Sequence, residues 1–139
     1  MKYYDFKKVI KKPYFTAQDL RLHRIVLSYV QLTRWRQKDL IRSFKRGLYY
    51  FTDEQEHFSR EEVSFLLYQP SYLSLESALS YYGFIPDIVQ STTAVSTKTT
   101  RTFNNKYGHF SYQHIQPSLF FGYTVQATPF GKYLMAEPE

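Results

Sequence analysis

Basic side chains are the groups in this sequence best placed to act on another molecule. Of the 18 Lys+Arg in 139 residues, 13 fall at or before Phe51, opposed there by only Asp5, Asp19 and Asp39. That segment nets +10, while the rest, with 5 cations against 9 acids, nets −4. Such a density attracts a phosphate backbone or an anionic lipid surface, or else forms a solvated basic face with no dedicated partner. What the cations sit on decides between these.

Other chemistries find little to work with. There is no Cys, which excludes a disulfide scaffold, a Cys-ligated zinc or iron–sulfur site and thiol catalysis. His109 and His114 are five apart on an expected strand, so they face opposite sides and share no metal; His23 and His57 are distant. Gly83, Gly108, Gly122 and Gly131 are scattered and form no phosphate loop. The serines lie in no nucleophile elbow, and Glu61, Glu62 and Glu76 are expected to solvate helix surfaces rather than act as acid or base. The sequence therefore reads as a protein that is not an enzyme and carries no cofactor. No run approaches 18 apolar residues and the start is not a signal segment, so a soluble cytoplasmic protein is expected. With 14 Tyr and 12 Phe, the chain can pack one domain or two small ones. Tyr72, Tyr81, Tyr82, Tyr112 and Tyr123 suit either base stacking or a half-buried sheet face.

The elements that must position the cations are legible in outline. Residues 2–12 predict an amphipathic helix with Tyr3, Phe6 and Ile10 on one stripe, ended by Pro13. Thr16 as N-cap and Asp19 at N3 predict a second helix over about 17–25. Ser28 caps a third, running through Lys38. On its wheel Ile25, Ser28, Leu32 and Trp35 cluster on one side, while Val30, Thr33, Arg34 and Gln37 point away, with Tyr29 beside them. That outer face has the composition of a major-groove reading helix: Arg pairs with guanine, Gln with adenine, and methyl groups meet thymine. Leu40–Phe44 and Leu48–Phe51 then suggest two strands around Lys45-Arg46-Gly47, a hairpin with a cationic tip. The alternative continues the third helix through Arg46 and caps it with Gly47.

Three helices followed by a basic-tipped hairpin is the order of a winged helix-turn-helix. On this reading Lys38, Arg42, Lys45 and Arg46 contact phosphate, and Tyr29, Val30, Thr33, Arg34 and Gln37 lie toward base edges. Residues 52–59 are polar and acidic and read as a linker or the start of the next unit. Helices are expected over 61–68 and, from a cap at Ser74, over 75–82, ended by Gly83. Strands are expected near 88–96, 99–104, 109–115 and 119–127, with turns at 104–108 and 116–118.

Several segments together resemble one family. Lys45-Arg46-Gly47-Leu48-Tyr49 and Tyr72-Leu73-Ser74-Leu75-Glu76-Ser77-Ala78-Leu79-Ser80-Tyr81-Tyr82-Gly83 are similar to stretches of AbiEi proteins. These are the antitoxin and autoregulator of type IV toxin–antitoxin, abortive-infection and phage-defence systems. Thr100-Arg101-Thr102-Phe103, Gly108-His109-Phe110-Ser111-Tyr112, Phe120-Phe121-Gly122-Tyr123 and Ala136-Glu137-Pro138-Glu139 add to the likeness. The Tyr-Leu-Ser-x-Glu-Ser-Ala-Leu stretch is the most specific.

The resemblance implies a winged helix binding double-stranded DNA at repeats in its own promoter, followed by a domain that neutralises a nucleotidyltransferase-like toxin. Two departures stand out. Asp39 occupies the place where such proteins usually turn into the wing with Gly, which implies a less tight turn. The family typically continues into a helical C-terminal part beyond the position of Glu139, so self-association through an uncovered sheet is a further expectation. The fold expected is thus α+β: a winged helix-turn-helix DNA-binding domain over 1–55, then a small helix-plus-antiparallel-sheet domain over 56–139, lacking its C-terminal helical part. The function expected is DNA-binding transcription regulation with an antitoxin-like role; the alternatives are a protein-interaction module that binds the toxin without sequence-specific DNA binding, or a truncated antitoxin remnant.

Overall fold

Short elements build this protein, and the helices that follow Thr16, Ser28 and Ser59 are capped by those side chains. A computed structural model of the chain describes residues 1–74, 91–129 and 131–137. It is α+β, with helices and two β-sheets, and divides into two compact units, residues 1–58 and 59–139.

The first unit runs α1 (Tyr3–Ile10), β1 (Tyr14–Thr16), α2 (Ala17–Leu22), α3 (Tyr29–Gln37), β2 (Ile41–Lys45), β3 (Leu48–Phe51) and a 3-10 turn (Thr52–His57). Its three strands are antiparallel in the order β1-β3-β2. The helices bury Phe6, Ile10 and Trp35 against Phe15, Ile41 and Phe51 of the sheet. Phe6 meets Phe15 edge-on at 4.8 Å and Trp35 at 5.3 Å. A second aromatic group, Phe44, Tyr50 and Phe58, closes the unit, Phe44 stacking on Tyr50 at 4.4 Å and meeting Phe58 at 5.0 Å.

The structure differs from the sequence expectations at three places here. Residues 14–16, between Pro13 and the expected second helix, form a strand that was not foreseen; three residues are too few for alternation to show, yet Phe15 alone points into the core. Helix α2 ends at Leu22, short of residue 25, because Arg24 takes a left-handed φ of +56° and turns the chain. Residues 52–57 form a 3-10 turn where a linker or the start of the next unit was expected; they belong to the first unit, and Phe58 after them is buried. Between the two alternatives for residues 38–51, the chain forms the hairpin.

The second unit contains α4 (Arg60–Leu67), β4 (Ser71–Leu73), β5 (Ser91–Ser96), β6 (Arg101–Asn105), β7 (Gly108–His114), a 3-10 turn (Pro117–Leu119), β8 (Tyr123–Thr128) and β9 (Gly131–Ala136). The strand order is β6-β7-β5-β4-β9-β8. Ser59 caps α4 by accepting from the Glu62 amide at 3.2 Å, and Val63 and Leu67 are fully buried. The buried Tyr112 hydroxyl donates to the Ser64 carbonyl, tying the sheet to α4.

This sheet is mixed, correcting the antiparallel expectation: β4 runs parallel to β9, and β5 to β7. Strands β4 and β9 were not foreseen, although β4 is central. Three residues after Pro70 carry no periodic signal; only the buried Ser71 and Leu73 flanking half-buried Tyr72 mark them as strand. The strand expected over 119–127 starts only at Tyr123, because Pro117 opens a 3-10 turn. Glu62, expected on a solvated surface, is 4 % exposed and accepts from the Thr128 hydroxyl at 3.2 Å. The helix expected over 75–82 and the start of the strand from 88 lie outside the described residues.

Candidate nucleic-acid interface

Two left-handed helix ends set the orientation of α3. At the end of α2, Arg24 has φ +56°, its amide donates to the Arg21 carbonyl at 3.1 Å, and the Ile25 amide reaches back to Leu20 at 2.8 Å. This paired 5→2 and 6→1 arrangement is a Schellman motif, and it brings Leu20 and Ile25 onto the core. Ser28 then restarts the helix, its Oγ accepting from the Gln31 amide at 3.1 Å. Trp35, 5 % exposed, fixes the rotation of α3 by packing on Phe6 and on Tyr3, the latter at 5.6 Å.

The same device ends α3. Asp39 has φ +57°, its amide donates to Arg36 at 3.0 Å and the Leu40 amide to Trp35 at 2.9 Å. The turn into β2 is therefore tight despite the aspartate, since short polar side chains tolerate this conformation better than most. Asp39 also holds Arg42 in a fork, Oδ1 to Nε at 2.8 Å and Oδ2 to Nη2 at 3.0 Å. That pairing raises the Arg42 pKa from its already high ordinary value.

Rotation and ends together leave Tyr29, Val30, Arg34, Arg36, Gln37 and Lys38 exposed on α3, with Thr33 half-buried among them. Two shallow grooves flank the helix. The one toward β2, about 400 Å³, is lined by Tyr29, Thr33, Arg36, Gln37, Arg42 and Ser43. The one toward the start of α1, about 570 Å³, is lined by Lys2, Tyr4, Val30, Gln31, Arg34 and Lys38. Lys45 and Arg46 stand at the hairpin tip, where Lys45 pairs with Leu48 across Arg46-Gly47 and Gly47 takes φ +85°.

The sequence-predicted residues thus fall into three groups: Tyr29, Thr33, Gln37 and Arg42 on one flank, Val30, Arg34 and Lys38 on the other, and Lys45 with Arg46 at the tip. Arg36 and Lys2 were missed. Arg36 follows Thr33 by three and Tyr29 by seven, so its flank was already set by helical spacing. The groove of Lys2 depends on a tertiary approach that sequence spacing does not encode.

Apart from Asp39 on Arg42, two further carboxylates are paired with lysines. Asp19 binds Lys12 at 2.7 Å; burial pushes its pKa up, but Lys12 and the Thr16 amide and hydroxyl outweigh this and hold it below the ordinary value. Lys7 pairs with Asp53. Among the described residues no group of three His, Cys, Asp or Glu could hold a metal, and no helix is long and apolar enough to cross a membrane. His109 Nδ1 lies 2.8 Å from Asn104 Oδ1, and His114 Nδ1 lies 2.9 Å from the Lys98 carbonyl.

Of the tyrosines considered for base stacking, Tyr112 is buried, so it is not free to stack on a base. Tyr72 and Tyr123 stack on each other at 5.2 Å; burial raises the Tyr72 pKa. Tyr81 and Tyr82 lie outside the described residues. No protein-family model matches the chain, and no curated protein matches it in sequence.

Proposed function

We propose that residues 1–58 are a winged helix-turn-helix that binds double-stranded DNA, and that the chain regulates transcription from its own promoter. One observation carries this reading. The order α1-β1-α2-α3-β2-β3 with sheet order β1-β3-β2 presents an exposed, cationic α3 next in the chain to a two-stranded ribbon tipped by Arg46. A helix of that composition suits the major groove, and a ribbon of that charge suits the flanking phosphates. Arg34 and Gln37 supply guanine- and adenine-reading groups, and Lys38 and Arg46 supply phosphate contacts.

The test is fluorescence anisotropy of the full chain on a labelled duplex from its own upstream region and on a scrambled duplex, across a salt series. Tighter binding to the promoter duplex, with log K falling as log salt rises, is expected. Equal affinity for both duplexes at moderate salt contradicts sequence-specific recognition.

The antitoxin-like role rests on the resemblance of residues 72–83 and 100–123 to AbiEi proteins. One observation favours a protein-binding role for the second unit: Leu119, Phe121 and Val125 are exposed on edge strand β8 and the segment before it. Co-purification with an adjacent nucleotidyltransferase-like product, retained after Arg34 and Arg46 are neutralised, would support that role.

A further inference from the structure

The segment entering α3 and its first turn carry three strongly exposed apolar side chains. Val26, in the turn before α3, is 92 % exposed; Tyr29 and Val30, in the first turn of the helix, are 81 % and 63 % exposed. Core packing therefore does not account for them. Along the chain they are bracketed by exposed Arg21 and Arg24 on one side and Arg34 on the other.

An apolar tip framed by cations narrows what can cover it. A second copy of the same face would bring the +10 segment against itself. A duplex offers the opposite charge together with the one apolar group exposed on base edges, the C5-methyl of thymine. Resting on the DNA-binding reading above, we infer that Val26, Tyr29 and Val30 select thymine methyl groups, so that the bound site carries thymines within about one helical turn of the base pair met by Arg34.

Removing one methyl from such a contact weakens binding about three- to fivefold, and two methyls about tenfold or more. The experiment starts from a randomised 24-base-pair duplex pool, selected for binding to the full chain. The strongest selected duplex is then remade with deoxyuridine in place of thymidine, which deletes only the methyls. Enrichment of thymine steps, and a loss of tenfold or more on the deoxyuridine duplex, are expected. Val30→Ala should weaken the thymidine duplex and shrink its advantage over the deoxyuridine duplex, since the two changes remove one shared contact.

Selected sites with equal affinity for thymidine and deoxyuridine forms overturn the inference while leaving sequence-specific DNA binding intact. A pool that never enriches overturns both. A concentration-dependent dimer abolished by Val30→Ala, with no thymidine preference, assigns the patch to self-association instead.

Discussion

Asp39 offers the sharpest test of how α3 is joined to the ribbon. It holds φ +57° at the end of α3 and forks its carboxylate onto Arg42. Replacing it by Gly or by Ala removes the same ion pair, so that loss cancels when the two variants are compared. The backbone does not cancel. Ala in the left-handed region costs about 1–2 kcal/mol that Gly does not. Gly gives back about 0.4–1 kcal/mol through its freer unfolded chain. Asp39→Gly should therefore be more stable than Asp39→Ala by about 1 kcal/mol.

Trp35, the only tryptophan, lies in the core of the first unit, so its fluorescence reports the unfolding of that unit in the full chain. With a urea dependence of about 1–2 kcal/mol/M, the Ala variant should unfold about 0.5–1 M earlier. Equal midpoints, or a more stable Ala variant, would refute the left-handed turn. Both variants also release Arg42, and on nonspecific duplex both should steepen the salt dependence by about 0.9 if Arg42 reaches a phosphate.

The remaining predictions concern the core, the charge balance and the interface. Because the Asp19 pKa is lowered on folding, the stability it contributes is present above the unfolded value of about 4 and is lost as pH falls through the folded value. Trp35 fluorescence against acid should show that loss, and Asp19→Asn should flatten it. Trp35→Ala should destabilise the first unit by about 3–5 kcal/mol, measured by far-ultraviolet circular dichroism in urea, since it empties the position that fixes α3. Arg46→Ala should weaken promoter and scrambled duplexes alike and reduce the salt slope by about 0.9. Arg34→Ala should cost about 1–3 kcal/mol on the promoter duplex and much less on the scrambled one, read by anisotropy.

The legible parts of the fold were those with a strong local signal. Ser28, Trp35 and Gly47 each mark a cap, a buried spacing or a left-handed turn that a few neighbouring residues determine, and α3 and the hairpin follow from them. The outward set Val30, Arg34 and Gln37 followed from the same wheel once Trp35 was taken as inward. Strands β1 and β4 were not legible because each is three residues long and gains its hydrogen bonds from partners far along the chain. Thr16 pairs with Leu48, and Leu73 lies opposite both Ala94 and Met135. Asp39 misled for a different reason. An aspartate where Gly is usual implied a looser turn, and only the 6→1 bond and the fork onto Arg42 show how the position is filled.

The proposal that α3 and the ribbon together form one DNA-binding surface is tested most directly by amide chemical-shift mapping. The full chain would be titrated with its promoter duplex while backbone resonances are followed. The expected result is perturbation concentrated at residues 26–38 and at Arg46-Gly47, with the sheet of residues 91–136 little changed. Perturbation confined to the second unit, or spread over α1 and the second unit with α3 unmoved, would contradict it.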